Sequence, residues 1–193
     1  DPIPPDPIFC RIWNWPFKMS RPMNGSCGRA IELTVIPRSE HHVTPPLLIS
    51  KILREAGFSH GFSTRVGGVS PPPYETLDFA VLRDPALLAE NHARLAQAVG
   101  FDPALLHQSM QVHGKNLVVA EGDRAATLAR EADALVANPG AGHAVAVRVA
   151  DCVPVLLADK VTGRVAAVHA GWKGVEAEIC AVAVRHLQDA GAT

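Results

Sequence analysis

Three side chains combine donor chemistry with informative surroundings: Cys152, His169 and His113. Cys152 stands before Val153-Pro154 and an apolar run over 155–158, and His169 closes a second apolar run over 164–168. The turn-prone Asp159-Lys160-Val161-Thr162-Gly163 joins the two runs, so the pattern predicts a β-hairpin. With a four-residue loop over 159–162 and Ala158 opposite Gly163, Cys152 faces His169 at the hairpin mouth. Directly opposed β-carbons lie about 4.5–5.5 Å apart, a separation at which a thiolate and an imidazole share either a proton or a metal ion. A loop one residue longer puts them on opposite faces. Pro154 cannot donate to a ladder, which marks 152–154 as a strand entrance open to solvent.

Two chemistries stay open on these residues. One is a thiolate nucleophile activated by imidazole; the other is a soft-to-borderline metal site with His113 as third ligand. Three N/S donors that leave a position open match a catalytic zinc site, whereas a structural zinc site asks for a fourth protein ligand. A buried cysteine with two hydrogen-bonded histidines is the plainer alternative. Ala170-Gly171-Trp172-Lys173-Gly174 predicts a tight turn before a helix, with glycines that admit close backbone approach and a helix start that offers amide donors to an anion. Arg65 lies in the Gly/Pro-rich stretch 64–74, where on spacing alone a surface turn is the better account, but a guanidinium fork beside bare backbone suits an oxyanion or phosphate. Gln111 precedes His113 by two residues, so a strand over 109–114 would set both on one face.

The elements that must position these groups are read from periodicity and caps. An amphipathic helix over 47–57 closes at Gly57, and a strand follows over 58–63. Asp84 as N-cap, Pro85 at the first helical position and Gly100 at the stop predict a helix over Pro85–Val99. Asp102-Pro103 opens a short helical piece to about His107. Strands are expected at 117–120, 133–137 and 145–149, with a polar loop or short helix over 121–132. A closing helix spans 175–190, with apolar residues at 175, 179, 182, 183 and 187 and Cys180 in the core.

Nine of the sixteen prolines fall in 1–46, with Trp13, Trp15, Cys10 and Cys27 showing no period. That stretch reads as an irregular N-terminal arm, not a signal peptide, and its His41-His42 as a surface pair. The remaining chain, 47–193, is long enough for one domain with a real core. A net charge of −1 with no run of like charges argues against nucleic acid and anionic membranes as partners. No apolar stretch reaches transmembrane length. Four cysteines without a CxxC point to a reducing, cytoplasmic setting, and a monomer is expected.

HGFSTRVGGVSPPPY (60–74), QVHG (111–114), ADALV (132–136) with Pro139-Gly140, ADCVPVLLAD (150–159) and AAVHAGWKG (166–174) occur in the order found in the YfiH family, which the chain resembles from about 47 to 193. That family, also known as multicopper polyphenol oxidoreductases or laccases, groups zinc-containing purine nucleoside phosphorylases with accompanying adenosine deaminase activity. The resemblance implies an α/β fold of the α+β type, with a mixed, largely antiparallel sheet flanked by helices as in the catalytic domain of cytotoxic necrotizing factor. It places zinc, with copper as the alternative, on His113, Cys152 and His169, which are then also the catalytic residues. The implied substrates are phosphate and purine nucleosides: inosine, guanosine, adenosine and methylthioadenosine. Phosphate would attack the ribose anomeric carbon; charge and loop position, not the resemblance, make Arg65 its first partner and Lys173 its second, with Gln111 as a further substrate contact. Family members continue with GP-x-I and YEV motifs not found here, so a C-terminally truncated domain is expected. A copper-dependent polyphenol oxidase, a metal-free Cys/His hydrolase and a non-catalytic binding module are the rival readings.

Overall fold

The computed structural model describes residues 8–11, 33–35, 44–74, 76–80 and 84–193. The readings made for Trp13, Trp15, Cys27 and the His41-His42 pair lie outside these residues. The strands are β1 (Ile8–Arg11), β2 (Leu33–Val35), β3 (Leu47–Ser50), β4 (His60–Ser63), β5 (Leu106–His107), β6 (Leu117–Ala120), β7 (Ala134–Ala137), β8 (Ala144–Arg148), β9 (Val153–Ala158) and β10 (Val165–Ala170). The helices are α1 (Lys51–Glu55), α2 (Pro85–Val99), α3 (Arg124–Leu128), α4 (Trp172–Glu176) and α5 (Ile179–Asp189), and Pro103–Leu105 form one 3-10 turn.

Six strands make one sheet in the order β2-β3-β4-β1-β8-β5, and four make a second in the order β6-β7-β10-β9. The fold is mixed α/β, as expected, with parallel and antiparallel pairing in both sheets. Alternation along β7, β8 and β10 shows how the layers stack. Leu135, Ala137, Val145, Val147, Val165 and Ala167 form one apolar cluster between the two sheets. Ala144 and Ala146, on the opposite side of β8, meet Leu95 of α2. Ala134, Val168 and Ala170 meet Ile179 and Ala183 of α5. The order of layers is therefore helix, sheet, sheet, helix, and alanines on the helix-facing sides let the helices sit close. Full burial of a valine or leucine between the sheets contributes about 1.5–3 kcal/mol.

Several expectations need correction. The arm 1–46 contributes β1 and β2; β1 pairs in parallel with both β4 and β8, which supply its ladder, and so short a strand leaves no periodicity to detect. Residues 47–57 are strand then helix: Leu47 and Ile49 are buried alternately in the sheet, and Ser50 caps α1 while its own N–H donates to His60 Nε2 at 2.8 Å. The hairpin pairs Ala158 with Val165 and Pro154 with His169, two positions beyond the expected register, so Cys152 does not face His169. The cause is Asp159, whose carboxylate accepts from Thr162 N and Thr162 Oγ1 at 2.6 Å, drawing Gly163 (φ 72°) and Arg164 into the loop. Because the shift is even, the face is preserved.

The expected helix 175–190 is broken in two at Glu178, which is left-handed (φ 60°). Gly174 sits where a β-carbon would come within 3.0 Å of the Gly114 carbonyl and 3.6 Å of the His169 carbonyl, so α4 is tied to the end of β10 and α5 must take a new direction. Val175 is exposed as a result, while Ile179, Ala183 and Leu187 form the buried stripe. Residues 109–114 are not a strand: Met110 makes one isolated bridge, and the chain then turns at His113.

Candidate metal centre

The donors come from three places. Cys152 lies just before β9, His169 near the end of β10, and His113 in the turn after Met110. The ligand atoms of His113, Cys152 and His169 all lie within 4.8 Å of one another. The two imidazoles meet edge to face, with centroids 4.7 Å apart. His113 is exposed, Cys152 half-buried and His169 buried, so the group opens to solvent on one side.

Close approach is possible because of Gly171. A β-carbon there would lie 2.8 Å from His113 Cδ2, 3.3 Å from Cys152 Sγ and 3.6 Å from His169 Cε1. Its φ of −71° is open to any residue, so space rather than conformation requires glycine.

His113 itself is left-handed, with φ 62°, an uncommon state for a side chain of its size. The carboxylate of Asp133 holds it there. Asp133 Oδ1 accepts from His113 N at 2.9 Å and from His169 Nδ1 at 2.7 Å, while Oδ2 accepts from Gly114 N at 2.7 Å and Val112 N at 3.2 Å. The Asp133 carbonyl also accepts from His169 N at 2.7 Å. Asp133 is fully buried. Sequence reasoning read it only as the start of a strand, because most of its partners are backbone N–H groups that leave no side-chain pattern. Its place in ADALV, one residue before an apolar strand, was the available signal.

Electrostatics favour a cation here. Burial first, then the Asp151 carboxylate beside it, push the Cys152 thiol above its ordinary value, with Asp133 adding to the effect. The thiol donates to Asp151 Oδ1 at 3.8 Å. A bare thiolate is disfavoured in that field, whereas a cation between the donors would reverse its sign. Two imidazole nitrogens and one sulfur are a donor set that fits zinc or copper. Among the described residues this is the single group of three or more such side chains gathered closely enough to hold a metal ion.

The other expected site residues have defined places. Gln111 is not on a strand face with His113; its Nε2 donates to Arg148 O at 2.7 Å, and its Oε1 accepts from Arg148 N at 2.8 Å, pinning the end of β8. Lys173, exposed, stands 5.5 Å from the centroid of the Trp172 ring. Arg65 is half-buried, and its carbonyl accepts from Thr76 N and Leu77 N at 2.7 Å. The backbone beside it is not bare: Gly67 N and Gly68 N both donate to Thr76 Oγ1 at 3.0 Å. Gly67, with φ 98°, packs so that a β-carbon would lie 2.6 Å from Pro45 Cα. Asn91 of α2 fixes the same loop by accepting from Val69 N at 2.9 Å and donating to Ser70 Oγ and Asp78 O.

Known proteins resemble the chain over most of its length. The family described as multi-copper polyphenol oxidoreductase laccase matches residues 59–193. A purine nucleoside phosphorylase of Streptomyces coelicolor is 43% identical over 141 residues, covering 70% of this chain and 57% of the relative. One from Deinococcus radiodurans is 44% identical over 135 residues, covering 69% and 51%. The chain thus spans about half the length of the curated relatives it matches. The crystal structure of YfiH from Bacillus licheniformis superposes with a TM-score of 0.63 at 27% identity, covering 73% of this chain and 55% of that one. By its sequence and its fold, the chain belongs to the multi-copper polyphenol oxidoreductase laccase family, the family of the YfiH proteins.

Proposed function

We propose that this chain is a zinc-dependent purine nucleoside phosphorylase that cleaves inosine, guanosine, adenosine and methylthioadenosine with phosphate, and that also deaminates adenosine. The observation that carries this is the gathering of His113, Cys152 and His169 within 4.8 Å, in a chain whose relatives at 43–44% identity are named purine nucleoside phosphorylases. Zinc, when bound, supplies a Lewis acid that polarises the purine or activates water. His113, Cys152 and His169 hold it. Arg65 and Lys173 are the cations for phosphate, and Gln111 keeps the end of β8 in place. The exposed Trp172 and Val153, each next in sequence to a site residue, give the mouth the apolar character that a purine face needs. Cys152 and Cys180 are free thiols, which suits the reducing cytoplasm. No helix among the described residues is long and apolar enough to cross a membrane.

A multi-copper oxidase needs more ligands than the three gathered among the described residues. A metal-free cysteine hydrolase would work against the field at Cys152, which raises the thiol. The deciding experiment measures inosine and adenosine turnover with and without phosphate, alongside metal content by mass spectrometry. One equivalent of zinc with phosphate-dependent release of hypoxanthine is expected. Several coppers, or phosphate-independent turnover that survives chelation, would overturn the reading. In the same assay Arg65→Ala should lower phosphorolysis about 10- to 150-fold, the value of a charge-assisted contact of roughly 1.5–3 kcal/mol, and adenosine deamination far less.

A further inference from the structure

One carboxylate reaches two of the three donors by different routes. Asp133 Oδ1 accepts from the His169 ring at Nδ1, while the same carboxylate collects the backbone N–H groups of Val112, His113 and Gly114, the turn that presents the His113 ring. Every polar atom of this buried side chain is therefore committed to the geometry of the donors, and none faces the open side.

We infer that Asp133 is the positioning residue of the centre: it fixes the His169 tautomer with the proton on Nδ1 and the Nε2 lone pair bare, and it holds His113 in its left-handed turn, so that both imidazoles are set for a divalent cation by one side chain. This rests on the zinc reading above.

The chemistry of an amide substitute shows why a carboxylate is required. A carboxylate accepts at both oxygens, and all four groups facing Asp133 are donors once His169 carries its proton on Nδ1. Asp133→Asn keeps one acceptor only. With its amino group toward Gly114 and Val112, donor faces donor and the turn that carries His113 lets go. With its amino group toward His169, Nδ1 must accept, the proton moves to Nε2, and the lone pair meant for the cation is gone. Either orientation removes one imidazole from the set. Groups of this kind behind metal ligands change metal affinity about 10- to 100-fold.

The test has two arms. In metal-free protein labelled with nitrogen-15, long-range proton–nitrogen correlations at a pH where imidazoles are neutral report the His169 tautomer, with His169→Gln for assignment. The expected result is Nδ1–H with Nε2 bare; Nε2–H would overturn the inference, and this arm stands even if the Asp133 variant does not fold. In the second arm, zinc affinity is measured by competition with a chromophoric chelator. Asp133→Asn should bind zinc about 10- to 100-fold more weakly, with either a moved His169 proton or fast amide exchange at 112–114. Zinc bound as tightly as by the parent chain would overturn it. If the parent chain binds no zinc yet shows the expected tautomer, the metal reading fails and the orientation by Asp133 stands.

Discussion

A thiol beside a carboxylate is a poor nucleophile and a serviceable ligand, and Cys152 is in that position. Cys152→Ala should abolish stoichiometric zinc binding, whereas Cys180→Ala, on α5 with its thiol pushed up by burial, should leave zinc content intact. Gly171 makes a sharper test at this scale. Its φ of −71° accepts alanine, so Gly171→Ala should keep a melting temperature close to that of the parent chain. The new methyl, however, would stand 2.8 Å from the His113 ring and force it outward. Zinc affinity in the variant should fall on the order of 10- to 100-fold, as for other disturbances just behind metal ligands; an unchanged affinity would mean that His113 is not a donor. The residues proposed as donors stand out in the sequence because cysteine and histidine announce their chemistry wherever they stand. Asp133 and Gly171 were not, since their roles, a carboxylate spent on backbone N–H groups and the absence of a β-carbon, exist only once the chain is folded.

At the scale of elements, capping signals were the most readable. Asp84, Pro85 and Gly100 bound α2 as expected, because each acts on its own immediate neighbours. Register and breaks were not readable, since they depend on distant partners. Asp159 lengthens the hairpin loop through its side chain, and α4 parts from α5 because Gly174 is held against Gly114. The loop that carries Arg65 shows the same dependence. It is fixed by Asn91, fully buried on α2 and about twenty residues away in the chain, as its bonds to Val69 N and Ser70 Oγ show. Asn91→Ala would remove the acceptor for Val69 N and the donor to Ser70 Oγ and Asp78 O. It should destabilise the fold by at least about 1–3 kcal/mol, the cost of removing one such partner, measured by urea unfolding. Asn91→Asp keeps the acceptor for Val69 N. Amide exchange at Val69 should therefore accelerate in the alanine variant and not in the aspartate variant; equal acceleration would show that the loop is held elsewhere.

At the scale of the molecule, the two-sheet stack was out of reach of local patterns. The strands β7 and β8 are buried on both faces, so their runs read as apolar without saying which side meets a helix. One histidine links this packing to pH. His107 of β5 is buried, and its Nδ1 lies 3.0 Å from Thr127 Oγ1 of α3. Its ring sits 4.5 Å from that of His143. Burial first, then His143 and the Arg124 guanidinium, push the His107 imidazole below its ordinary value of 6.5, against an opposite pull from Asp123. The folded state therefore holds neutral His107, and below that ordinary value the unfolded chain binds the extra proton. Stability then rises with pH wherever the unfolded state is the more protonated. The contribution is full above the ordinary imidazole range and is lost as pH falls toward the depressed value. Melting temperatures of the metal-free protein should drop from about pH 6.5 downward, and His107→Gln should drop less over the same interval. His143→Gln should leave the onset in place and lessen the loss, because one of the groups that depresses His107 in the folded state is removed. Parallel pH profiles for the parent chain and His107→Gln would show that His107 is not a source of acid sensitivity.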